Sequence, residues 1–164
     1  MSTVSLTLDE IFNLAKKTLL ANGCDDETAS ILSDLIRNAE RDGSLSHGLF
    51  RLPAYVSGLK SGKINGKGKP EIKKISSSVI KVQGNNCLAP VVLSKGLPEL
   101  VKATKENGVA VLAINNSHHM AAMWPETEKL AEEGLVAFAC TSYKPAVAPA
   151  GAIKPLFGTN PISF

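Results

Sequence analysis

His47 stands in the run Asp42-Gly43-Ser44-Leu45-Ser46-His47-Gly48-Leu49-Phe50-Arg51, where serines and glycines surround an imidazole at the expected start of a helix. Histidine exchanges a proton near neutral pH. Arginine grips a carboxylate through two parallel hydrogen bonds. Helical spacing puts His47, Arg51 and Tyr55 at i, i+4 and i+8, on one face. Together they describe a site for a small carboxylate that needs a proton. The same residues also fit a capping Ser46 followed by an exposed histidine and a surface arginine, and pattern alone favours that plainer reading.

Two further clusters carry polar residues at places where ligands bind. Asn115-Asn116-Ser117-His118-His119-Met120 follows an apolar run expected to be a buried strand and precedes a helix. Open α/β sheets place their ligand crevices at such strand ends, and peptide N–H groups there can hold a phosphate. Adjacent histidine side chains point apart, and no carboxylate or cysteine lies at ligand spacing, so no metal is expected. The third cluster, Phe157-Gly158-Thr159-Asn160-Pro161, has the composition of a tight turn. Thr159 and Asn160 could donate hydrogen bonds to a substrate, or simply shape the turn.

The elements that must position these clusters are legible in outline. Thr7-Leu8-Asp9-Glu10 reads as a capping box before a helix with Ile11, Leu14, Ala15 and Leu19 inward. Asp25 or Asp26 caps a second helix, with Ile31, Leu32, Leu35, Ile36 and Ala39 inward. A third helix is expected from about Gly48, carrying Leu49, Leu52, Val56 and Leu59 inward, although Pro53 inside it costs a backbone hydrogen bond unless it falls in the first turn. Ser61 to Pro70 reads as a loop. Ile72–Ile75 and Val79–Val82 read as short strands. A helix over Pro90–Asn107 with Leu93, Leu97, Leu100, Val101 and Thr104 inward is followed by a buried strand, Val109–Ile114. A helix ending at Gly134 and a second buried strand, Leu135–Cys140, complete the reading, and this strand–helix–strand unit implies a parallel pair. The fold class is therefore α/β: a helical unit over residues 1–70, then an α/β unit over residues 71–164.

Bulk properties exclude several classes. Net charge is +3, from 18 basic and 15 acidic residues, too weak and dispersed for nucleic acid. The basic run Lys60–Lys74 is interleaved with glycine and reads as solvated. No apolar run reaches the roughly 20 residues of a membrane span. Three well-separated cysteines, Cys24, Cys87 and Cys140, argue against a disulfide framework and for reduced thiols in the cytoplasm. The glycine-rich dinucleotide fingerprint, the Walker loop, H-E-x-x-H and G-x-S-x-G are all absent.

The three clusters, in this order, resemble the signatures of the type-2 malate/L-lactate dehydrogenase family, which is distinct from the Rossmann-fold dehydrogenases. The matching motifs are Ser46-His47-Gly48-x-x-Arg51-x-x-x-Tyr55, Asn116-x-x-His119, and Gly158-Thr159-Asn160-Pro161, with the turn Gly84-Asn85-Asn86 also fitting. The stretch His118 to Pro125 looks most like the branch that reduces Δ1-piperideine-2-carboxylate and Δ1-pyrroline-2-carboxylate. The resemblance implies an NADPH-dependent oxidoreductase, with NADH as the alternative cofactor and a malate- or lactate-type 2-hydroxy acid dehydrogenase as the alternative activity. It implies His47 as proton donor, Ser46 in a relay with His47 and an aspartate, and Arg51 and Thr159 on the substrate. His119, Met120, Ala121, Ala122 and Met123 would line the cofactor site, which lies in part of a non-Rossmann α/β cofactor-binding domain. It also implies a homodimer, or else a complementing C-terminal chain, since family chains are about twice this length and the relay aspartate matches no residue up to Phe164. Residues 1–164 alone are expected to turn over weakly or not at all; normal NADPH-dependent turnover by the purified chain contradicts this.

Overall fold

The computed structural model describes residues 4–164 and contains two compact units, Met1–Ala122 and Met123–Phe164. The expected boundary at residue 70 falls inside the first unit.

That unit begins with two capped helices. The Thr7 side chain accepts the Glu10 amide and the Glu10 carboxylate reaches back to the Thr7 N–H, so the capping box starts α1 (Leu8–Ala21). Asp25 rather than Asp26 caps α2 (Asp26–Arg41), accepting the Thr28 N–H at 2.9 Å. The helices bury Ile11, Ala15 and Leu19 against Ala29, Leu32 and Ile36. Ile31 and Leu35 are only half-buried. The third helix is shorter than its sequence pattern. Leu45–His47 and Leu49–Arg51 form separate 3-10 turns, and α3 runs only over Leu52–Lys60. Pro53 therefore sits in the first turn of α3, where its missing N–H costs nothing. Leu52 and Tyr55 are the residues this helix buries.

The loop after α3 is not wholly solvated. Ile64 is buried in the helical core, and Lys69 pairs with Asp25 at 3.5 Å. Beyond it, β1 (Glu71–Lys74) pairs antiparallel with β2 (Val79–Gln83), as the sequence predicts. The next helix, α4 (Ala89–Asn107), carries the chain across to β3 (Val111–Asn115), which pairs parallel with β2 in the register Val79↔Val111 to Gln83↔Asn115. The parallel pair is thus β2 and β3. The expected pairing of Val109–Ile114 with Leu135–Cys140 is not formed.

Two sequence expectations fail here for one reason. The inward face of α4 is Val92, Gly96 and Ala103, with Leu100 partly buried, rather than the larger leucines. A side chain at Gly96 would lie 3.0 Å from Leu112 and 3.2 Å from Val82, so the glycine lets the helix close on the sheet. Covered by α4 on one face and standing at the sheet edge, β3 alternates rather than burying both faces, and Val111 is 55% exposed.

In the second unit, α5 (Trp124–Glu132) is followed by a two-stranded antiparallel pair, β4 (Ala139–Cys140) and β5 (Ile162–Ser163). Leu135–Cys140 is not a buried strand: only its last two residues pair, and Val136 and Phe138 are exposed. The Thr127 and Ser163 hydroxyls meet at 2.7 Å and tie α5 to β5. No helix among the described residues is long and apolar enough to cross a membrane.

Leu32 has no exposed surface in the α1–α2 contact. Leu32→Ala is expected to lower folding stability by about 2–5 kcal/mol, measured by urea unfolding, because the helices cannot fully collapse into the cavity.

Candidate active site

The site begins where α2 ends. Ser44 donates its amide to the Ala39 carbonyl and Gly43 to that of Glu40, so the chain leaves the helix in a tight reversal. Two 3-10 turns follow, joined at Gly48. His47 closes the first and Arg51 the second. The single helical face expected for His47, Arg51 and Tyr55 does not exist. A 3-10 turn tightens the spacing to three residues, the backbone breaks at Gly48, and Tyr55 faces the core. The sequence-predicted residues still converge, but through side-chain hydrogen bonds rather than helix geometry.

Ser46 links the other two. Its hydroxyl lies 3.0 Å from His47 Nδ1, and its carbonyl accepts the Arg51 Nε–H at 2.8 Å. A second hydroxyl, Ser44 Oγ, lies 3.3 Å from the same ring nitrogen. Sequence reasoning missed Ser44 as a histidine partner; its signal is a serine three residues before the imidazole, one 3-10 turn away. With Nδ1 facing both hydroxyls, Nε2 has no hydrogen-bond partner among the described residues and can meet a substrate. Arg51 is held through Nε, which leaves its two terminal amino groups for a carboxylate.

Burial disfavours charge on the half-buried imidazole, and the positive charge of Arg51 and then of His119 adds to this, so the His47 pKa lies below the ordinary histidine value. Seen from the chemistry, His47 is a readier acid than a solvated histidine. An anion bound at Arg51 would offset one of the opposing charges and favour the protonated ring.

His119 belongs to the segment after β3. The chain turns at Asn116, in a left-handed conformation at φ 51°, and Asn86 donates to its carbonyl at 2.8 Å. His118 bridges Leu88 at the start of α4. The Tyr55 hydroxyl donates to the Met120 carbonyl at 3.3 Å. Met120 packs on the helical core, and Ala121 and Ala122 are buried. The first unit therefore brings His119 to His47. Of the other expected site residues, Met123 precedes α5 and is buried, and Thr159 is exposed in the irregular segment before β5. The tight turn expected over Phe157–Pro161 is not formed: Phe157 bridges Val147 and the segment leads into β5, although Asn160 takes φ 40° and its side chain accepts the Tyr143 N–H at 2.9 Å. An open depression lined by Glu71, Ile72, Lys73, Lys81 and Gln83 lies on β1 and β2 and includes none of these groups.

Residues 6–164 match the malate/L-lactate dehydrogenase family. The chain belongs to this family. It is 40% identical over 163 residues to a Δ1-pyrroline-2-carboxylate/Δ1-piperideine-2-carboxylate reductase of Pseudomonas putida, an alignment covering 99% of this chain and 48% of the relative. It is 37% identical over 159 residues to a (2R)-3-sulfolactate dehydrogenase (NADP(+)) of Chromohalobacter salexigens, covering 97% and 47%. Among solved structures, the Δ1-piperideine-2-carboxylate reductase of Pseudomonas syringae pvar. tomato superposes with a TM-score of 0.90 at 39% identity, covering 98% of this chain and 48% of that one. The chain spans about half the length of the curated relatives it matches. These likenesses confirm the expected family and the α/β fold class.

His47 is expected to titrate below the midpoint of a solvated histidine when its ring proton is followed by NMR. Arg51→Gln removes a like charge and should move that midpoint upward; a downward move contradicts the electrostatic account. The sign for stability follows. The unfolded chain binds the proton more readily, so this group weakens the fold as pH falls through the ordinary histidine range, and its effect vanishes above that range.

Proposed function

We propose that this chain forms the substrate-side half of an NAD(P)H-dependent reductase acting on a small cyclic 2-imino acid, Δ1-piperideine-2-carboxylate or Δ1-pyrroline-2-carboxylate. The observation that carries the reading is the Ser46-centred arrangement. It holds His47 with Nε2 open and Arg51 with its terminal amino groups open. A proton donor beside a carboxylate grip suits a 2-imino or 2-oxo acid. Relatives at about 40% identity are named for the imino acids, which favours C=N over C=O.

A reduced nicotinamide, when bound, supplies the hydride. The residues after β3 fit such a group. The peptide N–H groups of Met120, Ala121 and Ala122 find no acceptor among the described residues, although both alanines are buried. Buried peptide donors are normally paired, and methyl-sized side chains beside them let a planar amide approach. His119 and the segment Met120 to Met123 would hold it. NADPH is the proposed cofactor, supported by the NADP(+) in the name of the sulfolactate dehydrogenase.

The chain's own residues account for the rest. Arg51 binds the substrate carboxylate and fixes which end of the molecule faces His47. Reduction at C2 breaks the C=N π bond and puts an electron pair on nitrogen; His47 Nε2 delivers the proton that takes it up. Ser44 and Ser46 hold Nδ1, so the ring presents the correct edge throughout. Thr159 is proposed to contact the substrate. The relay carboxylate is proposed to come from a complementing C-terminal chain, and a homodimer is proposed as the assembly. Cytoplasmic location is part of the same reading.

The test is turnover by the protein in its longest native form against cyclic imino acids, pyruvate and oxaloacetate, with NADPH and NADH. Preference for the oxo acids overturns the imine assignment in favour of a 2-hydroxy acid dehydrogenase. His47→Ala should lower kcat by about 10²–10⁴-fold. Arg51→Ala should weaken substrate binding by about 1.5–3 kcal/mol, the range for a lost hydrogen bond to a charged group, and read mainly in KM.

A further inference from the structure

Glu40 occupies the last full turn of α2, outside every motif that marks the site. Its Oε1 accepts the Leu49 N–H at 2.7 Å across nine residues. Leu49 opens the second 3-10 turn, so the carboxylate caps the turn that ends in Arg51. The same side chain lies flat against Gly48. A Cβ at that position would sit 2.5 Å from Glu40 Cδ and closer still to Oε1. The contact falls at the junction between the turn that presents His47 and the turn that presents Arg51. Backbone bonds fix the loop at its start, where Ser44 donates to Ala39. Between there and α3, Glu40 reaches from α2 to hold the backbone at Leu49.

We propose that Glu40 is the positioning residue for His47 and Arg51, fixing the angle between the two turns through the Leu49 hydrogen bond and its contact with Gly48. Its importance for turnover rests on the function proposed above; the positioning itself does not. Glu40 acts as a hydrogen-bond acceptor of fixed length, so glutamine retains the function, whereas aspartate, one methylene shorter, and alanine lose it.

The test uses NMR on the 164-residue chain and needs no substrate. Leu49 amide exchange reports the bond. The His47 titration midpoint reports the site, because the ring's partial burial and the charges of Arg51 and His119 act on it only while the turns are in register. Glu40→Ala and Glu40→Asp should accelerate Leu49 exchange about tenfold or more, the scale of one lost hydrogen bond to a charged group. Both should raise the His47 midpoint toward the ordinary value, as the ring gains water and the like charges separate. Glu40→Gln, which keeps the acceptor and its reach, should speed Leu49 exchange far less than alanine does and should not raise the His47 midpoint. The direction discriminates, since loss of the Glu40 charge alone would lower the midpoint. Faster Leu49 exchange with an unmoved His47 midpoint overturns the proposal and leaves Glu40 a purely structural clamp. A glutamine variant that behaves like alanine overturns the hydrogen-bond account. If Glu40→Ala does not fold, Gly48→Ala supplies the same test from the other side, because its methyl group displaces the carboxylate. Should the native protein reduce none of the tested acids while these shifts appear, the functional reading fails and the positioning stands.

Discussion

Tyr55 has no contact with water, and a phenol so placed needs an acceptor. Burial pushes its pKa up to about 12 against the opposing influence of Arg51, so it stays protonated and donates to the Met120 carbonyl. That bond joins α3 to the segment following β3. The same core takes in Leu88 at the start of α4 and has Met120 packed against it. One apolar cluster thereby gathers three helices and the segments that follow the parallel strands. His47 lies shortly before α3 and His119 immediately before Met120. Their approach is a consequence of where the tyrosine is buried.

The parts legible in sequence were those governed by short-range chemistry. Thr7 and Glu10, three residues apart, specify the start of α1 without help from the rest of the chain. Asp25, three residues before Thr28, likewise specifies the start of α2. The parallel pairing of β2 with β3 was harder, because short apolar runs such as Val109–Ile114 and Leu135–Cys140 look alike, and only the packing of α4 decides between them. The inward face of α4 was misread for a related reason. Hydrophobic size suggested the leucines, whereas close approach to the sheet selects Gly96 and Ala103.

The site shows the same division. Its residue types were legible and led to the right family; its geometry was not. Helical periodicity placed His47, Arg51 and Tyr55 on one face, but the chain spends its hydrogen bonds locally. Ser46 engages one neighbour through its hydroxyl and another through its carbonyl. The outcome is a rigid hairpin of two turns with the functional ends of both side chains left open. Glu40 carries no sequence signal of this role, because its partner lies nine residues away and beyond a helix end.

The crowding at Gly48 constrains how this region can change over time. Every substitution there introduces a Cβ into space filled by Glu40, so the glutamate must swing away and give up the Leu49 N–H. Shortening Glu40 first would open that space but release Leu49. A change at either position that breaks the Leu49 bond thus leaves the other without its partner. Lineages carrying this loop should keep the glycine wherever glutamate or glutamine holds Leu49, and libraries that vary one position at a time will record Gly48 as intolerant and position 40 as open to glutamine without showing that the cause is shared.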